Sequence, residues 1–214
     1  MKRSFNCTSA KSSVVTVGDG RGFVVNGPYN EPVVVTAAHC LPFFPPCHGA
    51  SHFHERTYKS LLAPLGKEPF VWAECLFVDP FADIAVLGLP ENQELRNEAE
   101  AYEKLVGSAT PFSITDAPSQ DQGWLLSLGA RWFRCAVEYI KEIDGPLLIS
   151  NPALTIVGGM SGSPVISDQG AAIGVICIGS DSGCDLPISV NPRLVRDLPS
   201  WLLARATRAC VQFD

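Results

Sequence analysis

In Gly158-Gly159-Met160-Ser161-Gly162-Ser163-Pro164, glycines stand on both sides of a serine. Residues without Cβ let backbone N–H groups and a hydroxyl converge on one point, which is how a site for a developing oxyanion is built. A serine alone is weakly nucleophilic at neutral pH, so the stretch has chemical meaning only if the fold delivers a base and an orienting carboxylate to it. The base candidate is His39, at the end of the β-branched run Val33-Val34-Val35-Thr36-Ala37-Ala38. That run reads as a buried strand handing over an imidazole. The carboxylate candidate is Asp83, at the mouth of Ile84-Ala85-Val86-Leu87, where burying an acid is costly without a partner such as an imidazole N–H. Any fold for this chain must bring these three distant positions together.

The chain order His, Asp, Ser separates fold classes. An α/β-hydrolase runs Ser, acid, His and carries Gly-x-Ser-x-Gly, whereas the second residue after Ser161 is Ser163. The segments TAAHC, DIAVLGL and GGMSGSPV resemble those around the catalytic residues of the chymotrypsin/trypsin-like serine protease family, over roughly residues 14 to 205. The resemblance implies an all-β fold of two antiparallel six-stranded β-barrels with a C-terminal helix and the active site between the barrels. It divides the chain at 107/108: residues 1–107 carry His39 and Asp83, and 108–214 carry Ser161 and the terminal helix.

The residue pattern agrees with an all-β reading. Eighteen Gly and 17 Pro punctuate many short apolar runs. Strands are expected at Ser13–Val17, Arg21–Val25, Val33–Ala37, 61–65, Phe70–Phe77 and Ile84–Leu89. A second set is expected at Gly123–Leu128, Trp132–Val137, Leu147–Ser150, Ala171–Ile178 and Ile188–Val190. Between the sets, Leu95, Ala99, Tyr102, Leu105 and Val106 recur at helical intervals, so Glu91–Val106 reads as a surface helix. A terminal helix over Pro192–Ala209 should be interrupted at Pro199.

Charge and cysteines narrow the partners. A net charge of −6 without a Lys/Arg-rich run argues against nucleic acid or an anionic membrane as principal partner. No apolar stretch is long enough to span a bilayer, and the polar lead-in after Met1 lacks the apolar core of a signal peptide, so a cytoplasmic location is expected. In that compartment the eight cysteines read as reduced, mostly buried thiols, although Cys40 with Cys47 and Cys177 with Cys184 are spaced for local pairing. The loop holding Cys47, His48, His52 and His54 invites a zinc reading, but the spacing fits no standard finger and the loop reads as solvated, with no metal.

Carried over residue by residue, the resemblance makes Ser161 the nucleophile, His39 the general base and Asp83 its orienting carboxylate. The N–H groups of Gly159 and Ser161 would form the oxyanion hole, and no cofactor is required. Substrate would be bound by Thr155 at the floor of the specificity pocket and by Cys177, Ile178 and Gly179 along its wall. Two departures stand out. Met160 replaces the aspartate that pairs with a new N-terminal ammonium in secreted zymogens, which resembles the intracellular bacterial and viral branches and implies no activation by N-terminal cleavage. Thr155 replaces the aspartate of tryptic enzymes and favours an apolar or small side chain before the scissile bond, while Asp181 and Asp185 are near enough in sequence to favour Arg or Lys. The expected function is a serine endopeptidase acting on protein or peptide, with an activating or targeting protein as its candidate partner. An esterase on the same triad and an inert binding module of protease fold are the alternatives.

Overall fold

The computed structural model describes residues 10–28, 31–46, 53–116, 120–139, 147–150, 152–177 and 189–206. Six strands, β1 (Val14–Val17), β2 (Gly20–Asn26), β3 (Pro32–Thr36), β4 (Thr57–Pro64), β5 (Val71–Asp79) and β6 (Ile84–Gly88), close into a barrel in the order β1-β2-β3-β6-β5-β4. The β-branched sequence of β3 pairs on both sides, Val34 with Val24 and Leu87, Val35 with Phe23 and Val86. Such residues suit a pleated strand packed on all sides, and Val34, Val35, Val86 and Leu87 are fully buried. The central strands β3 and β6 are thereby fixed in register, which fixes what is delivered at their ends.

The second half contains β7 (Gln120–Leu126), β8 (Trp132–Tyr139), β9 (Leu147–Ser150), β10 (Pro164–Ser167), β11 (Ala172–Val175) and β12 (Ser189–Asn191), in the order β11-β10-β7-β8-β9-β12. This sheet curls: an antiparallel bridge between Gly174 and Arg193, just past β12, draws its two edges toward each other. The all-β fold expected from the sequence as two six-stranded barrels is present, the first unit a closed six-stranded barrel and the second a curled six-stranded half-barrel among the described residues. Strand β10 escaped the sequence reading because only Val165 and Ile166 separate the serine stretch from the Asp168-Gln169-Gly170 turn.

Helices fall outside the sheets: α1 (Phe53–Arg56), α2 (Arg96–Gly107), α3 (Leu194–Asp197) and α4 (Ser200–Ala206). Helix α2 confirms the expected surface helix; it buries Tyr102 and Val106 on the barrel and leaves its charged face to solvent. The Tyr102 hydroxyl lies 3.2 Å from the Pro32 carbonyl and 3.1 Å from that of Leu87. The break between α3 and α4 falls at Leu198-Pro199, as a proline without an N–H requires.

The two halves are joined along β2. The connecting segment bridges Val25 through Phe112, whose N–H donates to Val24 O at 2.9 Å, and then β11 through Ile114 and Ala172. The buried Arg21 crosses the interface and donates to the carbonyls of Leu126, at 2.7 Å, and Ser127, at 3.0 Å. Its backbone N–H donates to Ser161 O at 2.8 Å. Gly162 fits against this strand only for want of a side chain: its φ is +78°, and an added Cβ would lie 1.8 Å from Arg21 O.

Gly162→Ala combines a strained φ with backbone overlap that no rotamer can relieve. It should cost at least about 3 kcal/mol, lowering the melting temperature by about 6 °C or more for a chain of this size. A variant melting within about 2 °C of the parent would contradict the packing described.

Candidate active site

His39 stands in a 3-10 turn, Ala38–Cys40, immediately after β3. The buried Thr36 secures the end of that strand by donating its hydroxyl to Arg21 O at 2.6 Å. Asp83 is reached from the opposite direction. Asp79 Oδ1 accepts the N–H groups of Phe81, at 2.9 Å, and Ala82, at 3.0 Å, forming a tight turn that leaves Asp83 at φ +53° before β6 begins. A positive φ at a residue with a side chain is sparsely populated, and aspartate is among the few that tolerate it.

Both carboxylate oxygens of Asp83 serve His39. Oδ1 accepts the backbone N–H at 2.9 Å, and Oδ2 lies 2.7 Å from Nδ1. A carboxylate only accepts, so the short contact assigns the proton to Nδ1 and leaves the Nε2 lone pair free. The His39 side chain is 47% exposed and that of Asp83 21%, so the ring faces solvent while the acid is sheltered behind it.

The serine turn meets this pair around Gly20. A methyl group there would come within 2.6 Å of Cys40 Sγ and 2.9 Å of Ser161 O, so the residue after His39 and the serine turn touch the same glycine. On the other side, Ile176 O accepts from Gly162 N at 2.7 Å, and the Cys177 thiol donates to Asp83 O at 3.3 Å. The end of β11 therefore contacts both the serine turn and the carboxylate residue. Among the described residues no hydrogen bond joins His39 to Ser161; catalytic contacts of this kind are often long without substrate.

Within the turn, Met160 N donates to Val157 O at 3.2 Å, with Gly159 at φ +80°, the left-handed position that a type II turn demands. Met160, Gly162 and Ser163 all donate to backbone carbonyls, but no described backbone bond uses the N–H of Gly159 or Ser161. Met160 is buried in the core of the second sheet beside Leu125, Val165 and Ile173. Asp168, a candidate acceptor for an ammonium, already receives Trp124 Nε1 at 2.8 Å and faces Arg134 at 3.7 Å.

Of the expected substrate-binding residues, Thr155 is exposed and Cys177 buried, while Ile178 and Gly179 lie outside the described residues. So do Asp181, Asp185, Cys184, Cys47, His48 and His52, and the side chain of His54; among the described residues no group of three metal-ligating side chains occurs. Cys177, expected along the pocket wall, also supports Asp83, and Gly20 and Arg21 join the site without being expected there. The one legible signal for them was the pair of glycines flanking Arg21 in Gly20-Arg21-Gly22.

Cys40, Cys75, Cys135 and Cys177 are free, buried thiols. Burial pushes the thiol pKa of Cys40 and Cys75 up to about 11 and that of Cys135 up to about 12. Burial, and next to it the charge of Asp83, raises that of Cys177 too. Thiols so shifted are neutral at physiological pH and poor nucleophiles.

Comparison with known proteins places residues 20–175 in a family model described as a trypsin-like peptidase domain. No curated protein matches the chain. Among solved structures it is similar to a serine endoprotease from Yersinia pestis, with TM-score 0.54 and 14% identity over 87% of this chain and 60% of that one. It is also similar to the Rv3671c protease in its inactive form, with TM-score 0.50 and 16% identity over 93% and 91% of the two chains. A third is the apo MamO protease domain from Magnetospirillum magneticum, with TM-score 0.52 and 13% identity over 88% and 95%. At these identities the likeness is one of fold, and the chain spans less than two thirds of the Yersinia protein.

The four described thiols should resist iodoacetamide at about pH 8 in the folded protein and react once it is denatured, because only the thiolate is alkylated. Peptide mapping of the labelled chain checks this. Prompt labelling of Cys40 or Cys177 in the native state would contradict the burial that frames Asp83.

Proposed function

We propose, from the premise that this chain belongs to the trypsin-like peptidase family and is a serine protease, that it is an endopeptidase working through His39, Asp83 and Ser161. The observation that carries this reading is the two-point clamp of Asp83 on His39, whose neighbour Cys40 meets the same glycine as Ser161 of the serine turn. Residues 1–107 would supply the base and carboxylate, and 108–214 the nucleophile.

In the first half-reaction, Ser161 Oγ attacks the peptide carbonyl carbon while its proton passes to His39 Nε2, and Asp83 stabilises the imidazolium. The carbonyl oxygen, now carrying the negative charge, accepts from the N–H groups of Gly159 and Ser161, which have no described backbone acceptor. A donor of this kind is worth about 2.7–4 kcal/mol by comparison with a side-chain donor in another protease. Collapse of the adduct breaks the C–N bond, and the leaving amine takes the proton from His39. Water then hydrolyses the acyl-enzyme by the same steps in reverse order.

The buried Met160 cannot accept an ammonium, and Asp168 is engaged by Trp124 and Arg134. Both features support a protease that needs no N-terminal cut. The substrate is protein or peptide, met directly or through an activating or targeting partner. An intracellular setting remains part of the proposal, and no described helix is long and apolar enough to cross a membrane. The missing His39–Ser161 hydrogen bond is the observation that favours the second reading, a binding module with the same fold. Rapid labelling of Ser161 by a fluorophosphonate would dismiss it.

Ser161→Ala or His39→Ala should each lower turnover by about a million-fold, as in subtilisin where the residues act as a unit, with the melting temperature preserved. A tenth of the parental rate in either variant, with contaminating protease excluded, would overturn the assignment.

An uncleaved tag before Met1 should leave the rate within about threefold, because the N-terminus would take no part in the chemistry. Activity appearing only after a defined cut, detected by intact mass, would reveal a zymogen switch.

A further inference from the structure

A pocket of about 390 Å³ lies against the first barrel, away from the serine turn. Its size falls in the range of roughly 300–1,000 Å³ usual for ligand sites. Its apolar lining comes from Val33 of β3, Leu76 of β5, Leu89 beyond β6, Val106 of α2 and Trp201 of α4. The floor is set by Gly88, where an added Cβ would lie 2.5 Å from Leu76, so the missing side chain is what lets Leu76 lie across β6. Val33 and Gly88 are at the ends of β3 and β6 opposite to His39 and Asp83. At about 3.3 Å per strand residue the pocket is about 15 Å from the imidazole.

The polar part of the lining is of one sign. Glu31, Glu91 and Glu103 contribute carboxylates, and among the described residues no lysine or arginine lines the pocket and no cation pairs with the three acids. The acids come from three different segments, the β2–β3 turn, the chain beyond β6, and α2, and all three line the pocket. Trp201 is 41% exposed although it forms part of an apolar wall. An accessible indole face beside carboxylates suits a cation, which gains both ion pairing and attraction to the ring. A chain bearing several cations around an apolar side chain can meet all three acids while its apolar group fills the pocket.

We propose that this pocket is a docking site for a basic, apolar segment of a partner polypeptide. A large aliphatic or aromatic side chain enters between Val106 and Trp201, and flanking arginines or lysines pair with Glu31, Glu91 and Glu103. The site is separate from the peptidase cleft and does not depend on the catalytic reading.

The test uses the full chain carrying Ser161→Ala, so that nothing is cleaved, with acetyl-Arg-Leu-Phe-Arg amide as probe and calorimetry as readout. The acidic analogue acetyl-Glu-Leu-Phe-Glu amide is the comparison. The basic peptide should bind at least about tenfold tighter than the acidic one. V106W should fill the pocket and weaken the basic peptide about tenfold or more. E103K, at an exposed position that needs no repacking, should narrow or reverse the preference between the two peptides. Absence of binding at millimolar peptide would overturn the proposal. So would equal affinity for the two peptides, or binding left unchanged by E103K, the latter showing that the peptide sits at another site.

Discussion

The fit of the serine turn onto β2 is the contact on which the rest depends. Arg21 offers its N–H to Ser161 O, its carbonyl to Thr36 and the close approach of Gly162, and its guanidinium to the end of β7. One strand residue thus ties together the strand that delivers His39, the turn that bears Ser161 and the sheet behind that turn. The guanidinium is lifted out of water with no carboxylate partner among the described residues, which disfavours its charged form, and burial lowers its pKa accordingly. The hydrogen bonds to Leu126 and Ser127 offset part of that cost, since bonds to charged groups contribute about 1.5–3 kcal/mol each.

Most of the first barrel was legible because its strands obey simple patterning. The runs Val33-Val34-Val35 and Ile84-Ala85-Val86-Leu87 are buried on all sides, and turn residues separate them cleanly from their neighbours. The second sheet was harder. Strand β10 has two apolar residues between the serine turn and an ordinary one, and its burial comes from pairing with β7 and β11 rather than from its own period. Tertiary context decided where local pattern was silent.

The site divides the same way. Residue types that carry chemistry advertise themselves, so His39, Asp83 and the glycines around Ser161 could be named from the sequence, and the structure brings His39 and Asp83 into contact. What could not be read was support. Cys177 touches the carbonyl of Asp83 across 94 residues of chain, and Gly20 owes its identity to Cys40 and Ser161 pressing on it from two sides. Such roles exist only in three dimensions. The left-handed φ of Asp83 belongs with them, since it arises from a capped turn on one side and a fixed strand on the other.

The closed barrel draws all of its strands from one continuous stretch, Val14 to Gly88, whereas the serine turn needs Arg21 on one side and Ile176 on the other. During synthesis the barrel can close with its imidazole and carboxylate already in register, because domains generally fold as units from the N-terminus onward. The serine turn lacks its Ile176 contact until β11 has left the ribosome. The Ser161 hydroxyl and its neighbouring amides therefore take their places after the barrel has closed, and a chain stopped before β11 carries the His39–Asp83 pair without the serine turn.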